Sequence, residues 1–168
     1  MEKSLKQHKN GSIKKIRTVN FHAGNADFQN FRQKKRKLIN QNLVNIIVKS
    51  FEREDVKQLL KNDFLGDYWY IINKSSNNHS VGFCYLASEL YYFLDGKSKK
   101  WWFKEITSTE YLPYNGKHFY LENKQTGEIL DITKMQYNDI KIPYHLAKNK
   151  GIRYMSKNCN KLKKILQL

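Results

Sequence analysis

Three residues in the second half of the chain combine types and spacing that could do covalent chemistry: Cys84, His118 and Asp131. A thiolate attacks an electron-poor carbonyl carbon, and an imidazole takes and returns the proton. A carboxylate behind the imidazole fixes its tautomer and orientation. The expected chemistry is acyl transfer from an amide or ester, with Cys84 attacking, His118 relaying the proton and Asp131 orienting His118. Each residue alone has an ordinary structural explanation. A cysteine on an apolar helix is commonly a small buried hydrophobe, a strand histidine a half-buried residue, and an aspartate after a strand a turn former. Their chain order and the elements that carry them set the trio apart.

Cys84 lies in SVGFCYLASELYYFLDG, Ser80 to Gly96. Leu86, Leu90, Phe93 and Leu94 recur at helical spacing, with Gly96 as a stop. The pattern predicts a buried helix starting at or just before Cys84, whose unpaired first-turn N–H groups favour an anion. HFYLENKQTGEILDIT predicts a hairpin, with strands His118 to Glu122 and Glu128 to Thr133 about a turn at Thr126-Gly127. His118 and Asp131 then approach each other across an antiparallel pair. The sequence does not fix the oxyanion donors; the backbone N–H of Cys84 is one candidate, and Ser80 or His79 another. A zinc site built from the trio and His79 lacks the short-spaced ligand pair such sites use. With no CxxC, Walker loop, dinucleotide glycine pattern, HExxH or deaminase signature, no metal and no cofactor are expected.

A helix-borne Cys, then a His on a strand, then an Asp on the next strand resembles the papain-like superfamily in its transglutaminase-like variant. More narrowly, GFCYLASELYYFL, KHFYLENKQTGEILDIT and Gln136-Tyr137 resemble the small uncharacterised YunG-like group and related phage proteins, over about Ser80 to Tyr144. The tail GIRYMSKNCNKLKKIL resembles the basic end of the phage members. The resemblance implies an α+β fold in which the helix bearing the Cys packs on an antiparallel sheet, here with additional N-terminal helices. The position before the Cys, often polar in such proteins, is Phe83 in this chain. The group has no settled activity, so the resemblance speaks to fold more than to reaction.

The remaining sequence frames this centre. Residues 1–18 are polar and basic and read as a mobile arm, and 19–168 as a single α+β domain. Helical periodicity runs from Phe28 to Ile47 and again from Glu52 to Lys61. DYWYIIN, Asp67 to Asn73, is aromatic and β-branched and predicts a strand, as does Trp101 to Ile106. Lys134 to Ile142 reads as irregular, and Asn160 to Leu168 as a short amphipathic helix.

Charge points to a second class of function. Lys and Arg number 31 against 15 Asp and Glu, a formal +16. Such a field attracts polyanions. The candidate nucleic-acid contacts are Lys14, Lys15 and Arg17 in the arm, Arg32, Lys34, Lys35, Arg36 and Lys37 in the first helix, and Lys99, Lys100 and Trp102 near the middle. Arg153, Lys157, Lys161, Lys163 and Lys164 complete the set, the C-terminal lysines expected to form one stripe. Aromatic rings interleaved with lysines suit single strands, whose bases stack while phosphates meet ammonium groups. The alternative to an enzyme is thus a non-catalytic binder of nucleic acid or of an acidic host protein, as a phage effector of host machinery would be. No apolar run reaches the roughly 20 residues that cross a bilayer, and the N-terminus lacks a signal-peptide core. The expectation is a soluble cytoplasmic protein (host cytoplasm if phage-encoded) with reduced thiols.

Overall fold

In the computed structural model, the described residues are 39–64, 66–107, 112 and 116–168, side chains excepted at 63 and 64. They belong to one unit, Ile39–Leu168. The arm, the Phe28 end of the first helical pattern and the basic cluster 32–37 lie outside the described residues.

Helix α1, Gln41–Ser50, begins where Asn40 accepts the Leu43 N–H through its side chain. Its buried face, Leu43 and Ile47, continues into Phe51, which stacks on Phe83 at 4.7 Å. The Asn40 N–H donates to Tyr91 Oη at 2.7 Å, tying this entry to the central helix. Helix α2, Glu54–Leu59, carries Glu54 and Asp55 in its first turn, complementing the helix dipole, and runs into a π-helical turn, Leu60–Phe64.

Asp67–Ser75 is helix α3, not the strand its composition predicts. A strand buries alternate residues, but Tyr68 and Ile71 are exposed while Trp69, Tyr70, Ile72 and Asn73 turn inward at helical spacing. Packing overrides propensity here. Tyr70 Oη donates to Glu54 Oε1, and the Asn73 amide donates to the carbonyls of His79 and Val81 at 2.9 and 2.7 Å. Those bonds hold the loop that leads to Cys84. Within it, Gly82 adopts φ +87°, and a Cβ there would meet Trp69 Cε3 at 3.3 Å, so glycine sets the approach to the next helix.

Helix α4, Cys84–Leu94, is central: Leu86, Ala87, Ser88, Glu89, Leu90, Tyr91 and Tyr92 are all buried. It lies on an antiparallel sheet of β1, Trp101–Thr107; β2, Lys117–Asn123; β3, Ile129–Leu130; and β4, Lys148–Asn149, in the order β3-β2-β1-β4. Ser88 Oγ donates to the Phe119 carbonyl of β2, and Tyr85 packs edge-on against Phe103 and Phe119. Ile106 pairs with His118 and Lys104 with Tyr120, so these share one sheet face, while Phe103, Phe119 and Leu121 share the other. The main core gathers on the α4 side. A smaller cluster of Ile106, Leu112, Tyr120, Tyr137 and Ile142 forms around Ile106 and Tyr120.

The second hairpin strand is shorter than expected, ending at Leu130. Beyond it, Asp131 Oδ1 takes the Thr133 N–H at 3.2 Å, closing the chain on itself and ending the ladder. The segment expected to be irregular holds a 3₁₀ turn, Lys134–Tyr137. Helix α5, Lys157–Ile165, starts before the expected Asn160 because Ser156 caps it, accepting the Cys159 N–H. The described residues form an α+β fold of five α-helices and one four-stranded antiparallel sheet.

Candidate functional site

Cys84 is the first residue of α4. The residue before it, Phe83, is packed in the core and provides no side-chain cap, and the helix has no acidic residue in its first turn. The N–H groups at this end therefore face the thiol region without a competing carboxylate from the helix itself. Cys84 remains partly exposed.

His118 comes from the start of β2, and its side chain is fully buried. Continuing the β2–β3 register past Leu130 sets Asp131 opposite Tyr120, one diagonal step from His118 on the same face. His118 Nε2 lies 2.6 Å from Asp131 Oδ2. Cys84 lies close enough to the ring to raise its pKa, alongside Asp131. The three residues singled out in the sequence thus meet, in the order thiol, imidazole, carboxylate.

Two residues not assigned a role from sequence complete the cluster. Tyr144 Oη donates to Asp131 Oδ2 at 2.8 Å, which with the Thr133 N–H gives the carboxylate three donors and a fixed aim. Gln136 Nε2 lies 3.3 Å from His118 Nδ1 and donates to Thr133 Oγ1 at 3.1 Å. With His118 neutral, the amide donates to Nδ1. With His118 doubly protonated, the amide must turn end for end, and the Thr133 hydroxyl, donor or acceptor, serves either orientation. Tyr137 meets the imidazole edge-on at 4.7 Å. Gln136-Tyr137 is visible in the sequence as a dipeptide. Nothing local marks Tyr144 as a carboxylate partner, since that role arises only when the chain folds back.

Burial opposes charge on His118, but the hydrogen bonds to Asp131 and Cys84 and the negative charge on both outweigh it, and the imidazole is pushed up to about 9. Near neutral pH the ring is therefore held as imidazolium, with Asp131 on one side and the Cys84 sulfur on the other.

Two expected oxyanion donors are engaged elsewhere. Ser80 Oγ donates to Asn78 Oδ1 at 2.6 Å, and His79 Nδ1 lies 3.3 Å from Lys57 Nζ. His79 is thus occupied outside the trio, and among the described residues no cluster of His, Cys, Asp and Glu is arranged to hold a metal ion. The Cys84 N–H, at the first helical position, remains.

The expected basic contacts are distributed more unevenly. Lys14, Lys15, Arg17, Arg32, Lys34, Lys35, Arg36 and Lys37 lie outside the described residues. Lys99 is exposed, whereas Lys100 is bound to Asp95 at 2.6 Å. Trp102 is 41% exposed, and Arg153 is exposed. On α5 the lysines do not form one stripe. Lys157, Lys161 and Lys164 share a face at helical spacing, but Lys163 turns away and lines a cavity with Arg153 and Tyr154. No described helix is long and apolar enough to cross a membrane. No family model, curated protein or solved structure matches this chain.

Proposed function

We propose that this chain is a cysteine-dependent acyl enzyme, a hydrolase or acyltransferase acting on an amide or ester, on a papain-like, transglutaminase-like scaffold. The observation that carries the reading is the buried His118 held between the Cys84 thiol and the Asp131 carboxylate. Asp131 occupies Nε2, so a proton exchanged with sulfur passes through Nδ1, and the Gln136 amide 3.3 Å away has to yield that nitrogen. With that proton already on the imidazolium, the Cys84 sulfur attacks as a thiolate and forms a bond to the substrate carbonyl carbon, whose π electrons move to oxygen. The tetrahedral oxyanion draws on the Cys84 N–H. As the C–N or C–O bond breaks, the imidazolium returns the proton to the leaving group, and a thioester remains. Water or an amine, deprotonated by His118, then attacks the thioester and restores the thiol.

The likeness of Gly82-Phe83-Cys84, His118-Phe119, Asp131-Ile132-Thr133 and Gln136-Tyr137 to the YunG-like pattern supports the same reading. A thiol that must stay reduced suits a cytoplasm.

The test is alkylation. Near neutral pH, iodoacetamide followed by peptide mass spectrometry should label Cys84 faster than Cys159 by more than about a hundredfold, because Cys84 is partly exposed beside His118 whereas Cys159 is fully buried beside Glu89. His118→Ala should remove most of that advantage, a loss of about a hundredfold if His118 acts as the base. Equal, slow labelling of both thiols in the folded protein would overturn the reading.

A further inference from the structure

We propose that the surface joining the start of β1, the segment Gly151–Met155 and the ends of α4 and α5 is a binding track for single-stranded nucleic acid. Residues 140–168 contain eight Lys and Arg and no Asp or Glu, so the basic excess of the described unit concentrates at its C-terminal end. This stretch bounds two cavities. One, of about 370 Å³, is lined by Trp102, Lys124, Lys150 and Arg153 among others. The second, of about 280 Å³, is lined by Lys97, Arg153, Tyr154 and Lys163 among others. Arg153 borders both, which makes them neighbours along one path. Among the described residues no acidic side chain lines either cavity. Asp95 pairs with Lys100 and Glu122 with Lys104, while Glu105 pairs with Lys117 and with Lys150 of the first cavity, which leaves Lys124, Arg153, Lys97 and Lys163 as the cations of the track.

Charge alone would accept any polyanion. The rings narrow the choice. Trp102 is 41% exposed and Tyr154 86% exposed, one at each end of the path. Nothing in the fold requires two large rings in water beside a basic groove. An acidic peptide would satisfy the lysines and leave both rings without a partner. A duplex keeps its base faces stacked inside. Only an unpaired strand brings base faces to the rings and phosphates to the cations at once. The Lys124 ammonium now rests 3.8 Å from the Trp102 ring centroid. A base stacked on the indole is worth more than an exposed cation–π contact. A strand would therefore displace Lys124 from the ring, and its ammonium would move to a phosphate. This track does not use Cys84, so it stands whether or not the chain is an enzyme.

The experiment is fluorescence anisotropy with the full chain and three probes: labelled oligothymidylate, the same strand annealed to its complement, and polyglutamate. The single strand should bind most tightly, with affinity falling as salt rises. Arg153→Glu with Lys163→Glu should flatten the log–log salt slope by about 1.4, the value for two phosphates of a single strand left without a cation. Trp102→Ala with Tyr154→Ala should weaken binding about tenfold or more and leave the slope unchanged. Cys84→Ala should bind as the wild type does. Equal or tighter binding of the duplex or polyglutamate overturns the assignment. So does single-strand binding that both double variants leave intact, which would locate the affinity in the N-terminal basic residues.

Discussion

The two cysteines occupy similar places and have opposite surroundings. Cys84 is the first residue of α4, and Cys159 is the third of α5. Both lie in the first turn of a helix, where backbone N–H groups favour a thiolate. Cys84 is partly exposed and faces His118, a group that can carry positive charge. Cys159 is fully buried beside Glu89, a carboxylate; burial, then the negative charge beside it, pushes its thiol well above the ordinary range. Glu89 in turn accepts the Ser156 N–H and Oγ–H, both at 2.7 Å, so that region is a clasp between α4 and the start of α5. A helix N-terminus therefore does not decide what a thiol does. The neighbouring side chain and the burial do, and they set a partly exposed thiol beside an imidazole apart from a packed one beside a carboxylate.

The strongest test of this contrast is the pH dependence of stability. His118 is raised from 6.5 to about 9 in the folded chain. Its contribution is fully present below the unfolded value and is lost as pH rises through the folded one. The change amounts to about 3 kcal/mol in all. The informative window is pH 6.5 to about 8.5, because above it the unfolded Cys159 thiol ionises and acts in the same direction. Urea unfolding should show stability falling across this window in the wild type and in Cys159→Ala, and a nearly flat profile in His118→Gln. An equal slope in His118→Gln would break the contrast.

A smaller effect should come from the clasp. Glu89→Ala leaves the Ser156 donors and the Cys159 thiol without their acceptor and should cost about 2 kcal/mol in urea unfolding. It should also raise Cys159 alkylation while leaving the Cys84 rate unchanged. Faster labelling of Cys84 instead would mean that the two regions are coupled along α4. The least effect is expected for Tyr144→Phe, which removes one of three donors from Asp131. It should lower stability by about 1 kcal/mol and slow Cys84 alkylation only modestly. A loss as large as that of His118→Ala would make Tyr144 a full partner in positioning the imidazole.

The Cys84 side of this contrast is far more legible in the sequence than the clasp. The apolar spacing after Cys84, the stop at Gly96 and the alternation around His118 are local patterns, and the helix, β1 and β2 follow them. The approach of Asp131 to His118 follows from a single hairpin register, and the packing of α4 on β2 brings Cys84 to them. The clasp joins Glu89 to Ser156, 67 residues apart, and no local pattern encodes it. Helix α3 departs from its expected strand for a related reason. Its aromatic and β-branched residues favour a strand, and only contacts to Glu54 and to the carbonyls of His79 and Val81 make the helix the better solution. The strand expected to reach Thr133 stops early because nothing in the sequence announces that the Asp131 carboxylate claims the Thr133 N–H.

That claim has a consequence for how the protein behaves in company. The two edges of the sheet, β3 and β4, are each only two residues long. A long bare edge is a template on which another chain can add a strand, and extended edges are where association and fibre growth begin. On the β3 side, the hydrogen bond that aims Asp131 at His118 also takes up the Thr133 backbone donor just beyond the strand and turns the chain away from an extended edge. The same carboxylate that orients the imidazole therefore helps keep the sheet closed to its neighbours.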